Sequence, residues 1–179
     1  YGDLTNQAGG VITGGLRGAI APSATNSTIF NARISNAGTI NGDVSFGNAP
    51  YLGSSNSNVY QALPGGVLNG NLTLGQADMF VTELTGSSVG RYAGVTGTVS
   101  SNGANLRYRV RTDASSTMLS DANFNAFGYD LSDNATLTLT GTGSGRTLLL
   151  AGQGIVDLTA DLATANVAAI TATTRIAQP

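Results

Sequence analysis

Asn36-Ala37-Gly38-Thr39-Ile40-Asn41-Gly42-Asp43-Val44-Ser45-Phe46 decides the reading of this chain, because a similar run returns as Pro64-Gly65-Gly66-Val67-Leu68-Asn69-Gly70-Asn71-Leu72-Thr73-Leu74. Each holds the short pattern apolar-x-Gly-x-apolar. The pattern also stands earlier, as Ile12-Thr13-Gly14-Gly15-Leu16, and later, as Val95-Thr96-Gly97-Thr98-Val99. The central glycines fall at 14, 42, 70 and 97, spaced by 28, 28 and 27 residues. Small-residue turns precede all four: Ala8-Gly9-Gly10, Asn36-Ala37-Gly38, Pro64-Gly65-Gly66 and Tyr92-Ala93-Gly94. Self-similarity at a fixed period is the mark of stacked repeats, in which each unit buries its apolar face against its neighbours.

Within one unit the chemistry alternates at period two, as along a strand. Ile40, Val44 and Phe46 should point inward, with Asn41, Asp43 and Ser45 outward; Leu68, Leu72 and Leu74 repeat this against Asn69, Asn71 and Thr73. Gly42 falls on the inward face, where a missing side chain lets the wall bend or makes room for a large neighbour. The pattern predicts an all-β right-handed parallel β-solenoid (a β-helix) of roughly 28 residues per coil, with coils about 4.8 Å apart. We expect a single elongated domain over 1–179, with regular coils over 1–100 and less regular coils with loop excursions over 101–179.

Outside the repeats, 48–62 reads as a loop thrown out from a coil, and 112–134 as a longer excursion. Leu106-Arg107-Tyr108-Arg109-Val110-Arg111 is an amphipathic strand, and Ala135-Thr136-Leu137-Thr138-Leu139-Thr140 alternates as cleanly before a turn at Gly141-Thr142-Gly143-Ser144-Gly145. The Ala- and Thr-rich tail from Ile155 to Ile176 reads as further strands, with an Ala-rich helix at 158–170 as the alternative.

Composition supports β-structure and excludes much chemistry. Gly 25, Thr 22, Ser 16 and Asn 16 dominate the 179 residues, all poor or neutral helix formers. There is no His, Cys, Lys or Trp, and the eight basic residues are all Arg. Thiol and imidazole catalysis, disulfides, nitrogen- or sulfur-ligated metal sites and a Walker phosphate loop are therefore excluded. A net charge of −2 argues against nucleic acid, which needs a clustered basic surface. No apolar run approaches the ~18 residues of a membrane helix, so the chain is not expected to be membrane-embedded. The opening Tyr1-Gly2-Asp3-Leu4 lacks a basic start and an apolar stretch, so it reads as a processed chain or an excerpt.

The rungs Asn36 to Val44 and Pro64 to Gly75 resemble the Asn-x-Gly-x-Ile-x-Gly-x-Val rungs of bacterial autotransporter passengers, and large filamentous adhesins are similar. The resemblance covers residues 1–100 by motif and the remainder by composition. It implies a secreted bacterial surface protein, extracellular or on the outer cell surface, acting as stalk, adhesin or biofilm matrix component. The chain lacks the C-terminal translocating barrel of that family, which leaves it a passenger segment or a processed subunit. Its partners would be flanking coils of a longer chain, or copies of itself in an extracellular filament, together with surface glycans.

Three site readings follow. Arg107, Arg109 and Arg111 stand at period two, so they share one face and form a cationic stripe suited to an anionic glycan; the plainer reading is a solvated face whose charge deters unwanted pairing. Asp121, Asp130 and Asp133 match no calcium-binding motif and read as turn residues. Neither a metal nor another cofactor is expected. No paired carboxylates suggest a polysaccharide-cleaving enzyme, and none is expected. Rows such as Thr136-x-Thr138-x-Thr140 raise ice binding, which β-propensity explains better.

Overall fold

A computed structural model describes residues 2–23, 29–47, 57–86, 92–117, 121–140, 147–158, 167–170 and 175–177. They are all-β without a helix, and nearly every pairing is parallel. The chain divides into two compact units, one of Tyr1–Thr82 with Tyr92–Asn105 and one of Glu83–Arg91 with Leu106–Pro179.

In the first unit three walls form from strands that recur in the same order. One wall holds β1 (Gly2–Asn6), β3 (Ala32–Asn36), β6 (Val59–Ala62) and the start of β9 (Met79–Gly86). The second is β2 (Val11–Thr13), β4 (Thr39–Asn41) and β7 (Val67–Asn69); the third is β5 (Val44–Ser45), β8 (Leu72–Leu74) and β10 (Val99–Ser101). The second wall pairs Ile12 with Ile40 and Ile40 with Leu68, a separation of 28 at each step. The third pairs Val44 with Leu72 and Leu72 with Val99, at 28 and 27. Apolar residues therefore stand in columns. Ile40, Val44, Phe46, Leu68, Leu72 and Leu74 are all fully buried, and burying each such side chain is worth about 1.5–3 kcal/mol. Their partners Asp43, Asn69 and Asn71 are exposed, while Asn41, Ser45 and Thr73 are half-buried.

Gly42 differs from expectation. It does not lie inside a strand but at the corner between β4 and β5, with φ at +114°, a backbone state favoured only without a Cβ. The wall turns there, and the apolar alternation resumes in phase on the next wall. The glycine column is real for three of the four repeats: a Cβ on Gly70 would meet the Gly42 carbonyl, and one on Gly97 would meet the Gly70 carbonyl. Gly14 keeps the same backbone register, its N–H donating to the Asn41 carbonyl at 2.8 Å as the Gly42 N–H does to the Asn69 carbonyl. A Cβ on it, however, would meet Gly18 and Ala19, where the chain makes a tight antiparallel bridge from Gly15 to Gly18.

The expected loop at 48–62 is corrected at its end: Val59–Ala62 is β6, with Tyr60 and Ala62 buried. Residues 48–56 lie outside the described residues.

The second unit runs two parallel ladders from one long strand, β11 (Asn105–Ser116). One ladder continues through β12 (Ala126–Leu131), β14 (Thr147–Gly152) and β16 (Val167–Ile170). The other continues through β13 (Thr136–Leu139), β15 (Ile155–Leu158) and β17 (Arg175–Ala177). Partners here are closer in sequence: Ala126 pairs with Thr147, 21 apart, and Thr136 with Ile155, 19 apart. The excursion expected at 112–134 is thus strand at 112–116 and 126–131, where β11 runs on to Ser116 and β12 follows. The aromatic residues of that stretch are core: Phe124, Phe127 and Tyr129 are buried. At the tail, β16 places 167–170 in a strand rather than a helix; 159–166 and the turn at 141–145 lie outside the described residues.

Candidate functional site

β11 alternates as its sequence dictates. Leu106, Tyr108 and Val110 are at most 3 % exposed and face the core. Tyr108 packs against Phe127 and Tyr129 with ring centroids 5.7 Å away in both cases, and the Tyr129 hydroxyl donates to Ser116 Oγ at 2.8 Å. Burial pushes the Tyr129 phenol far up, so it remains neutral. Aromatic packing on the inner side therefore fixes the strand that carries the arginines on its outer side.

Arg107 and Arg109 are half-buried and Arg111 is exposed, and all three occupy the outward positions of this one strand. Arg111 Nε donates to both carboxylate oxygens of Glu83 at 3.2 Å. The pair is lopsided, with the Glu83 side chain 10 % and the Arg111 side chain 55 % exposed, so solvent screening holds its contribution to under about 1 kcal/mol. Arg107 and Arg109 make no ion pair among the described residues. The next outward position is Asp113, whose Oδ1 accepts the Thr136 N–H at 2.8 Å and braces β11 to β13. The face thus presents two uncommitted guanidinium groups beside a third engaged by a carboxylate. Planar guanidinium groups about 7 Å apart along a strand suit successive anionic groups on an extended polymer.

The acidic trio is dispersed in role. Asp121 is buried and its Oδ1 accepts the Asn123 N–H at 2.9 Å, closing a local turn. Asp133 lies exposed in a turn. Asp130 is a correction to the turn reading, because it sits within β12. Among the described residues no group of three acidic side chains gathers to hold a metal ion.

The threonine rows do not form a uniform face. Thr138 has Ser115 on one side and Asp157 on the other, and the Thr96 hydroxyl donates to the Leu68 carbonyl at 3.1 Å.

Polar ladders escaped the sequence reading. In the first unit, Asn6 Nδ2 donates to Asn36 Oδ1 at 2.9 Å, and Asn36 Nδ2 donates to the Val67 carbonyl at 3.2 Å and to the Tyr60 hydroxyl at 3.3 Å. Asn36 is fully buried, and burial pushes the Tyr60 phenol up to about 12. A second buried cluster joins Asn58 and Asp78. Asp78 Oδ1 accepts from Asn58 N–H and Nδ2, Oδ2 accepts from the Gly75 N–H, and Asn58 Oδ1 accepts from the Ala32 N–H. Burial raises the Asp78 carboxyl above its usual range, against the pull of those three donors. On the outside, Asp43 Oδ1 accepts the Asn71 N–H at 2.8 Å, and Asn71 Oδ1 accepts the Thr98 N–H at 2.9 Å. Repetition of Asn before a turn glycine, at Asn6 and Asn36, was a usable signal for the first ladder. Asn58 and Asp78, 20 residues apart, recur at no repeat spacing. All these groups act structurally, tying one rung to the next.

No helix among the described residues is long and apolar enough to cross a membrane. No family model, no curated protein and no solved structure matches the chain.

Proposed function

We propose that this chain is a segment of an extracellular, structural or adhesive β-solenoid exposed on a bacterial surface, with its walls wound right-handed into coils. The observation that carries the reading is the stacking of like on like: Ile12, Ile40 and Leu68 in one parallel register, and Val44, Leu72 and Val99 in another, at separations of 28, 28, 28 and 27. Such a winding places backbone hydrogen bonds along its length and leaves a long lateral surface for contact. The role is non-enzymatic. It is supported by the polar side chains of Asn6, Asn36, Asp43 and Asn71, which are spent on bonds between neighbouring strands. Digestion of intact cells that express the natural gene, with an externally added protease, tests it. Removal of the protein without lysis is expected; protection until lysis overturns a surface location.

The adhesive element of the reading is the outer face of β11, with an anionic glycan as ligand. Replacing Arg107, Arg109 and Arg111 together by Ser should weaken retention on immobilised anionic polysaccharide by about tenfold, and wild-type retention should fall with added salt. Unchanged retention assigns the face to solvation alone.

A self-polymerising filament subunit is the second reading. It is favoured by β1 and β2, each paired on one side only among the described residues, which carry exposed Leu4 and Val11.

A further inference from the structure

Three Asn-Gly pairs occur in the sequence: Asn41-Gly42, Asn69-Gly70 and Asn102-Gly103. In such a pair no Cβ shields the following backbone nitrogen, so it approaches the asparagine side-chain carbonyl carbon more freely than in any other dipeptide. The first two arise because the corner between walls needs glycine directly after an outward asparagine. The same geometry that calls for them also decides whether they react.

We propose that Asn102 is a site of spontaneous deamidation, and that the inter-rung hydrogen bonds of Asn41 and Asn69 protect the other two pairs. In the reaction the Gly103 nitrogen bonds to Asn102 Cγ and the Cγ–Nδ2 bond breaks. The proton lost from the glycine nitrogen passes through solvent to the departing amide, which leaves as ammonia. Water then opens the resulting imide at one of its two carbonyls, giving aspartate or isoaspartate and one additional negative charge.

At Asn41 both partners of the attack are engaged. Its Oδ1 accepts from Asn69 Nδ2 at 2.9 Å, and the attacking Gly42 N–H donates to the Asn69 carbonyl at 3.0 Å. At Asn69 the leaving nitrogen is held by that same side-chain bond, so Cγ cannot swing toward Gly70 without breaking it. Asn102 stands in neither bond. It is exposed in the turn after β10, with Gly103 at φ +85°. Its backbone N–H is anchored to the Leu74 carbonyl at 3.1 Å, while its side chain and the Gly103 N–H have no hydrogen-bond partner among the described residues. The order of reaction set by the fold is Asn102, then Asn69, then Asn41. The inference stands independently of the surface role, because it depends only on this local bonding.

Incubation of the folded protein at mildly alkaline pH, followed by tryptic peptide mapping, reads all three sites. Cleavage after Arg33, Arg91 and Arg107 leaves Asn41 and Asn69 on one peptide and Asn102 on another, and fragment ions separate the first two. Asn102 should convert at least about fivefold faster than Asn41, the factor supplied by one net hydrogen bond. In guanidinium the three rates should converge. Asn69→Ser, checked for native circular dichroism, should raise the Asn41 rate toward that of Asn102 and leave Asn102 unchanged. Native conversion of Asn41 as fast as Asn102, or an order that survives denaturation, overturns the proposal. If the variant does not fold, the comparison of native with denatured wild type decides alone.

Discussion

At the scale of single residues, the chain uses asparagine and aspartate where its composition offers almost no other polar side chain of that reach. Asp78 shows the cost. The residue is 3 % exposed and its carboxylate accepts three N–H groups, yet burial outweighs them and raises its pKa. The folded protein therefore binds this proton more tightly than the unfolded chain. The stabilisation from that excess is full below about pH 4, the ordinary aspartate value, and is lost as pH rises through the raised folded value. Asp78→Asn removes the titration while every other ionisable group stays the same. The stability of wild type minus that of the variant, from urea midpoints, should fall as pH is raised from that value toward neutrality. A difference that rises over the same range would show that the three donors outweigh burial.

At the scale of elements, the corners do as much as the strands. Gly70 separates β7 from β8, and a Cβ there would press on the carbonyl of Gly42 and the nitrogen of Asp43, which are backbone atoms fixed in the rung below. Gly65, in the turn before β7, has φ at +79° but open space around it. Gly70→Ala should therefore destabilise by about 1–3 kcal/mol through overpacking, with the effect passed to two walls. Gly65→Ala should cost about 1–2 kcal/mol from its left-handed backbone alone. Thermal melts of the two variants, with crystallographic displacement of the Gly42 rung in the first and none in the second, separate clash from strain. The apolar-x-Gly-x-apolar rhythm made these walls legible, because burial imposes a period on Ile40, Val44, Leu68 and Leu72 that survives in a single sequence. It could not show that Gly42 turns a corner, since an alternation that resumes in phase looks continuous on paper. β6 and the end of β11 look like loop in the sequence for a different reason. Asn, Ser and Gln beside Val59, and Thr-Asp-Ala-Ser after Arg111, carry turn chemistry locally, and only pairing with neighbouring strands makes them extended. The arginine face was legible because period two on one strand needs no tertiary knowledge. The Asn6–Asn36 and Asn58–Asp78 bonds were not, because they depend on which rung lies over which.

At the scale of the whole molecule, the ladders among the described residues are long-range parallel pairs, with partners 19 or more residues apart. Parallel strands leave an open row of N–H and C=O groups wherever a ladder stops, and natural sheets blunt such edges with Lys, Pro or bulges. No Lys is available here, and the one-sided strands β1 and β2 carry Leu4 at 38 % and Val11 at 64 % exposure. In the isolated segment that edge is both hydrogen-bonding and apolar, a template for a strand of flanking chain or of a second copy. The isolated protein should sediment with increasing apparent mass as its concentration rises. Leu4→Lys with Val11→Lys should abolish this, with some lowering of the melting temperature from the first change, because Leu4 stands in register over the buried Ile34 and Tyr60. Regular fibres from wild type, lost in the double variant, would make the filament reading the stronger one and locate its growing end at β1 and β2. A wild type that stays monomeric at high concentration removes the filament reading and leaves the lateral surface, with its three arginines, as the functional face. Fibres that persist in the double variant would place the contact on strands other than these two.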